Sequence, residues 1–251
     1  MGNTIWDMTN EEGEKVCSFD GLGEMGVNHF SQLYSAQHES SIAKIMWIVG
    51  YFPRFVLEED NKMLMEEVGE EELGGVIHSF QKDKSLGLDR WLVEFYLGFY
   101  EVTGIDLLQV VEESRRDGLI HGSINSTFIT LIPKADKPSS FDEFSPISLW
   151  NCLYKIISKV IARRFKKILW NITISVKQFG FLEGRKIHEA IGVALEGLHS
   201  IKTMKFEGVV IKIDLSKAYD RVKWLYICMM MTHLGFGLDF IRWIMNCLTS
   251  V

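Results

Sequence analysis

The sequence predicts an α+β fold with a helix-rich N-terminal region, and three observations carry that prediction. Apolar residues recur at helical spacing through most of the first 120 residues. A β-branched and aromatic run, Thr127 to Ile132, breaks the helical pattern. The segment VVIKIDL, Val209 to Leu215, then alternates Val209, Ile211 and Ile213 with Val210, Lys212 and Asp214, the period of a strand. The chain has 251 residues, 47% of them apolar and 24% charged, enough for one large domain or two unequal lobes.

Taken in order, HFSQLYSAQ and then LEEDNKMLMEEVGEEELGGVIHSFQ read as helices, the latter through Leu64, Val68, Leu73 and Ile77. KDKSLGLDR reads as a loop. WLVEFYLGFYEVTGIDLLQVVEESRRDG supplies two amphipathic helices, the second stopped by Gly118. The Thr127–Ile132 strand ends at Pro133 and a polar turn. KIISKVIARRFKKIL places Leu153, Ile156 and Val160 on one stripe and Lys155, Lys159, Arg163 and Lys166 on another. A Gly-containing loop leads into a helix carrying Ile187, Ile191, Leu195 and Leu198, and after VVIKIDL two further helices flank Gly235 and Gly237.

Charge divides the chain. Residues 1–80 hold 15 acidic against 4 basic residues, while the remainder holds 18 against 23, although the whole is only −6. Between Glu143 and Glu183 there is no acid, and Lys155, Lys159, Arg163, Arg164, Lys166, Lys167 and Lys177 form a basic belt. Such a belt attracts phosphates by Coulomb energy and counterion release, and a solvated helix face accounts for the same pattern. The longest apolar stretch, Ile45 to Phe52, is far short of the roughly 20 residues of a membrane-spanning helix, so no membrane role is expected. Cys17, Cys152, Cys228 and Cys247 lie far apart with no metal spacing, and the acidic N-terminus lacks a secretory pattern. An intracellular protein with reduced thiols is expected.

One carboxylate stands out. Asp214 is placed at a strand end, where a carboxylate beside backbone carbonyls can hold Mg²⁺ through hard oxygen donors. With Asp220 six residues on, a surface charge or a helix N-terminal acid fits the same spacing.

The words around it narrow the choice. KIDLSKAYDRVKW, Lys212 to Trp224, closely resembles the first catalytic palm motif of reverse transcriptases of plant LINE-type non-LTR retrotransposons. KSLGLDR, TFITLIPKADKPSSFDEF, PISLWNCLYKIISKVIARR, QFGFLEGRKI and LGFG followed by WI resemble further words of that family, in the family's order. The resemblance implies a partial right-hand polymerase: the fingers and the beginning of the palm over residues 81–251, preceded by an acidic helical region over 1–80. It implies an RNA-directed DNA polymerase acting with Mg²⁺, an RNA template, a DNA primer and deoxynucleoside triphosphates, in nucleus or cytoplasm. Asp214 and the Leu215 carbonyl would be metal ligands, Tyr219 would exclude a 2′-hydroxyl, and Lys134 would approach the triphosphate. Gln178, Gly180, Phe181 and Arg185 would lie near template or primer, as would Lys155, Lys159, Arg163, Arg164 and Lys167 of the belt.

Departures from the family set further expectations. Ser145 stands where the family has arginine, so the planar guanidinium that would grip a triphosphate is absent at that position. The KSPGPDG-like loop has Leu86, Leu88 and Arg90 in place of two prolines and the last glycine, so an altered turn is expected. No Tyr-Ala-Asp-Asp word, which carries two further metal-binding aspartates, occurs among the 251 residues. The chain alone is therefore expected to be catalytically incomplete. The alternative is a non-catalytic nucleic-acid-binding remnant that uses the basic helix 155–167.

Overall fold

A computed structural model of the chain describes residues 5, 7–10, 12–35, 41–82, 86–171, 175, 177–182, 184–205, 207–215 and 221–249. Within them the helical expectation holds. The helices are α1 (Phe19–Ser35), α2 (Ile42–Val49), α3 (Glu58–Leu64), α4 (Glu70–His78), α5 (Val93–Gly98), α6 (Tyr100–Asp117), α7 (Cys152–Asn171), α8 (Ile187–Thr203), α9 (Trp224–Leu234) and α10 (Leu238–Thr249). Gly118 ends α6 in the left-handed conformation and Gly235 ends α9 the same way.

Two antiparallel hairpins complete the described structure. A short one joins β1 (Met8–Thr9) to β2 (Lys15–Val16), and a longer one joins β3 (Thr127–Pro133) to β4 (Phe144–Trp150). The β3–β4 register runs from Thr127 opposite Trp150 to Pro133 opposite Phe144. β3 is the expected strand. Its partner FSPISLW has little strand character as a sequence, since Pro146 lacks an N–H and serines dilute the apolar pattern. Pairing with β3 makes it a strand.

The second expected strand is not formed: residues 209–215 adopt no regular element and pair with no strand among the described residues. Ile211 and Ile213 are 77% and 79% exposed. Alternation prepares a face and a ladder edge, but a strand also requires a neighbour to accept its backbone hydrogen bonds. Helix α8 is equally uncovered, with no buried residue and its apolar stripe in solvent.

One main core joins distant segments. Val56, Leu64, Leu73 and Ile77 pack in the same cluster as Ile156, Val160 and Ile168 of α7 and Phe240 and Trp243 of α10. Packing is thus continuous across residue 80. Two polar contacts inside link distant segments: Trp243 Nε1 donates to Ser114 Oγ at 3.2 Å, and Tyr154 Oη donates to the Cys247 carbonyl at 2.8 Å. A smaller cluster of Met8, Phe30, Phe141 and Phe144 fastens α1 and the first hairpin to the end of β3–β4.

Gly235, at φ +101°, lets two segments meet. A Cβ there would lie 2.7 Å from the Val56 carbonyl oxygen. Close by, the N–H groups of Phe55 and Val56 donate to the Leu234 carbonyl, and Asn61 bridges the turn through the Gly235 carbonyl (2.8 Å) and the Gly237 N–H (2.7 Å). The turn between α9 and α10 is thereby tied to the segment before α3.

Candidate functional site

Helix α7 carries the basic belt, and its position follows from how its N-terminus is held. The Cys152 N–H donates to Asp89 Oδ2 at 3.2 Å, and the Asp89 N–H donates to Asn151 Oδ1 at 3.0 Å. Asn151 Nδ2 in turn donates to the Ser123 carbonyl at 3.0 Å. Residues 86–90 therefore cap α7 from the side, with Asp89 supplying the anion that a helix N-terminus favours. Gly87 makes the approach sterically feasible, because a Cβ there would lie 2.5 Å from the Trp150 carbonyl oxygen and 2.7 Å from the Asn151 nitrogen.

The belt itself divides into inward and outward cations. Arg164 is buried, with Nε 3.0 Å and Nη2 2.6 Å from the two oxygens of Glu72. Its remaining donors reach the carbonyls of Leu64, Glu66 and Glu67. Sequence reasoning missed this pair, although Arg164 shares the spacing of Ile157, Val160, Ile161 and Ile168 and so falls on the buried face. Lys159 places its ammonium 3.8 Å from the Phe80 ring centroid and donates to the Ser79 carbonyl at 2.9 Å. Burial, and then the nearby Arg163 and Lys166, hold its pKa below the usual lysine value. Lys155 is half-buried, whereas Arg163 and Lys167 are exposed.

The described residues between 175 and 185 are closed on one another by hydrogen bonds. Arg185 Nη1 donates to the carbonyls of Ser175 (2.6 Å) and Gln178 (2.8 Å), and Gln178 Nε2 donates to the Gly180 carbonyl at 3.2 Å. These hydrogen bonds bring Gln178, Gly180 and Arg185 together. Phe181 sits at φ +64°, unusual for a residue with a Cβ, and is 82% exposed.

Lys134 follows β3. Its N–H donates to the Glu143 carbonyl at 2.8 Å and its ammonium to the Asp142 carbonyl at 3.0 Å. The neighbouring Glu143 carboxylate accepts from the Ser139 N–H at 2.6 Å, which holds it below the usual carboxylate range. Ser145 lies on β4 opposite Ile132. Asp214 and Leu215 end the exposed 209–215 run, while Tyr219 and Asp220 lie outside the described residues. No hydrogen bond or ion pair among the described residues joins Asp214 to Lys134, and none of them form a group of three or more metal-ligating side chains. No helix of the described residues is long and apolar enough to cross a membrane. The arrangement offers an exposed carboxylate beside an exposed carbonyl, a lysine fixed at the end of a hairpin, and an outward aromatic beside an arginine-closed turn.

Comparison with known proteins places these features in a family context. A transposon-encoded protein of Xenopus laevis, described as the Transposon TX1 uncharacterized 149 kDa protein, is 26% identical over 195 residues. That alignment covers 78% of this chain, and this chain spans about 15% of the length of that relative. Residues 132–251, which include the β3–β4 hairpin, α7, the Arg185 turn and the Asp214 run, match the family model described as Reverse transcriptase (RNA-dependent DNA polymerase), and this part of the chain is reverse transcriptase-like.

Proposed function

We propose that the chain is the fingers and first palm segment of an RNA-directed DNA polymerase of a LINE-type non-LTR retroelement, with the plant affiliation suggested by the wording of its motifs. The observation that carries this reading is the coincidence of the reverse transcriptase match over residues 132–251 with an exposed carboxylate at Asp214, beside the Leu215 carbonyl. Both are hard oxygen donors of the kind Mg²⁺ takes, and the ion's other positions would be filled by triphosphate oxygens, water and further carboxylates. When bound, such an ion lowers the charge on an attacking 3′ oxygen and on departing pyrophosphate.

The chain's own residues have separate tasks in this reading. Asp214 and Leu215 present oxygens to the metal. Lys134, fixed by the Asp142 carbonyl, brings a point charge toward the incoming triphosphate. Tyr219, outside the described residues, has the proposed task of rejecting a 2′-hydroxyl. Arg185, by closing the 175–185 turn, holds Gly180 and Phe181 against template or primer, where an outward ring stacks and a glycine allows close approach. Arg163 and Lys167 are the belt residues whose exposure suits phosphate contacts, while Arg164 and Lys159 brace the helix from within.

Primer extension on an RNA template with Mg²⁺ and deoxynucleotides tests the reading, comparing the chain with its Asp214→Asn variant. The chain alone is expected to give no product above the protein-free control. Extension that is lost in Asp214→Asn would support Asp214 and overturn the expected incompleteness. Extension unchanged in Asp214→Asn would overturn the assignment of Asp214.

A further inference from the structure

The short 3₁₀ turn Phe141–Glu143 and the β1–β2 hairpin meet α1 around an open cleft of about 540 Å³. Its lining includes an apolar part, Met25 of α1 and the buried ring of Phe141, and Gly26 brings the helix close to that ring, since a Cβ there would lie 3.3 Å from it. The rest of the lining is polar, with Glu12 from the hairpin turn, Asn28 and Gln32 from α1, and Asp142. The hairpin side is fixed in place: the Thr9 N–H donates to the Ser139 carbonyl at 2.9 Å, and Asn10 Oδ1 accepts from the N–H groups of Glu12 (3.1 Å) and Glu14 (2.7 Å).

His29 also lines the cleft and carries an unmet polar atom. Its ring stands edge to face with Phe30 at 5.0 Å and tilted against Phe141 at 5.8 Å, while its Nε2 is buried with no hydrogen-bond partner. Asp142 Oδ1 lies 3.9 Å from that nitrogen, beyond hydrogen-bond reach. With the ring proton on Nδ1, these are two acceptors that one nitrogen bearing two hydrogens can bridge from about 2.9 Å each. The Asp142 side chain is 73% exposed, so a small turn of it opens Nε2 to the cleft. Charge fixes the sign of the ligand. Residues 7–35 hold six acids and one lysine, and that Lys15 is taken by Asp7 at 3.1 Å. No Lys or Arg is among the described residues that line the cleft, and the nearby Lys134 is held on the Asp142 main-chain carbonyl. A phosphate would meet carboxylates here. A divalent cation is the less favoured occupant, because no group of three metal-ligating side chains forms among the described residues.

We propose that this cleft binds a guanidinium group, carried by an arginine side chain of a peptide or by a small molecule. The alkyl stem lies on Met25 and Phe141, the planar fork donates to the carboxylates of Asp142 and Glu12, and one NH₂ of the fork bridges His29 Nε2 and Asp142. The side-chain amide oxygens of Asn28 and Gln32 accept the remaining N–H groups. An ammonium carries the same charge but lacks the fork, so it fits the site less well. Neither Asp214 nor a nucleotide takes part, and failure of this site would leave the polymerase reading untouched.

Isothermal titration of the full chain with agmatine and with the peptide acetyl-Ala-Arg-Ala-amide, at about 50 and 200 mM salt, tests the proposal. The peptide acetyl-Ala-Lys-Ala-amide is the control ligand, and Asp142→Asn and His29→Phe are the variants, each checked for helix content by circular dichroism. Both guanidinium probes are expected to bind, more weakly at the higher salt, with the lysine peptide about tenfold weaker. Asp142→Asn and His29→Phe should each weaken binding by about tenfold, the first through lost charge and the second through a lost acceptor on a ring of similar size. Support takes one of two forms: tighter binding of the arginine peptide than of agmatine assigns the guanidinium to a partner protein, and the reverse order assigns it to a small molecule. Absence of binding by both guanidinium probes would overturn the proposal, as would equal binding of the lysine peptide or affinity unchanged in both variants.

Discussion

Gly87, Asp89 and Arg90 show how much a short loop is constrained by what it touches. A Cβ on Gly87 would enter the backbone of Trp150 and Asn151, and neither can retreat without unseating the start of α7. Gly87→Ala is expected to lower stability by about 2–3 kcal/mol in urea denaturation. Asp89→Ala removes the cap on the Cys152 N–H and should cost about 1 kcal/mol. Arg90 behaves in the opposite sense, since it occupies φ +58°, a conformation that disfavours any side chain. Arg90→Gly is therefore expected to raise stability by about 0.5–1 kcal/mol, the relief of αL strain less the added chain entropy. The sequence made the loop legible, along with the loss of glycine at position 90. It did not reveal that the backbone there keeps a glycine-like angle, which is fixed by the Arg90 N–H bond to the Gly87 carbonyl and by docking on the α7 junction.

At the level of single elements, α7 was readable and its partner was not. The buried stripe follows from spacing, and the same spacing places Arg164 inward. What spacing does not supply is Glu72, which is 92 residues away and approaches only because α3 and α4 pack on α7. Removing one member of such a pair leaves buried polar groups uncompensated. Arg164→Met is expected to destabilise by about 3 kcal/mol, with Glu72→Gln costing less because that carboxylate is nearer solvent. Thermal melts of both variants and of the double variant measure the coupling directly. The 209–215 run is the converse case: its alternation was legible, but strand formation depends on a partner strand, and among the described residues none pairs with it. β4 was hidden for the same physical reason, because a strand with Pro146 in it is stabilised by its partner more than by its own composition.

Across the whole molecule, two apolar clusters hold both hairpins and most of the described helices, α8 excepted, and the main one carries titratable groups that resist ionisation. Burial pushes the thiols of Cys152 and Cys247 up to about 12, with the Asp89 carboxylate adding to the effect at Cys152, and burial likewise raises Tyr96 to about 12. Folding favours the protonated form of each group. Their contribution is therefore full below the ordinary thiol pKa of about 8.5 and is lost as pH rises toward 12. Melting temperature should accordingly fall steeply above about pH 9. Native-state alkylation near neutral pH should modify the exposed Cys17 while leaving Cys152 and Cys247 intact until the chain unfolds. The candidate site was legible only as words: Asp214, Lys134 and the QFGF turn could be named from the chain. Their three-dimensional setting depends on hairpin pairing, on the Arg185 hydrogen bonds and on what lies beside the 209–215 run, none of which a one-dimensional pattern specifies. The central claim is that Asp214 and Leu215 present oxygens to a divalent cation. It is tested most directly by replacing Mg²⁺ with Fe²⁺ in the presence of an RNA–DNA primer–template and a deoxynucleotide, and mapping where ascorbate and peroxide cut the protein backbone. The account predicts a cut beside Asp214 and Leu215 that disappears in Asp214→Asn; no cut there, or one that persists unchanged in the variant, would contradict it.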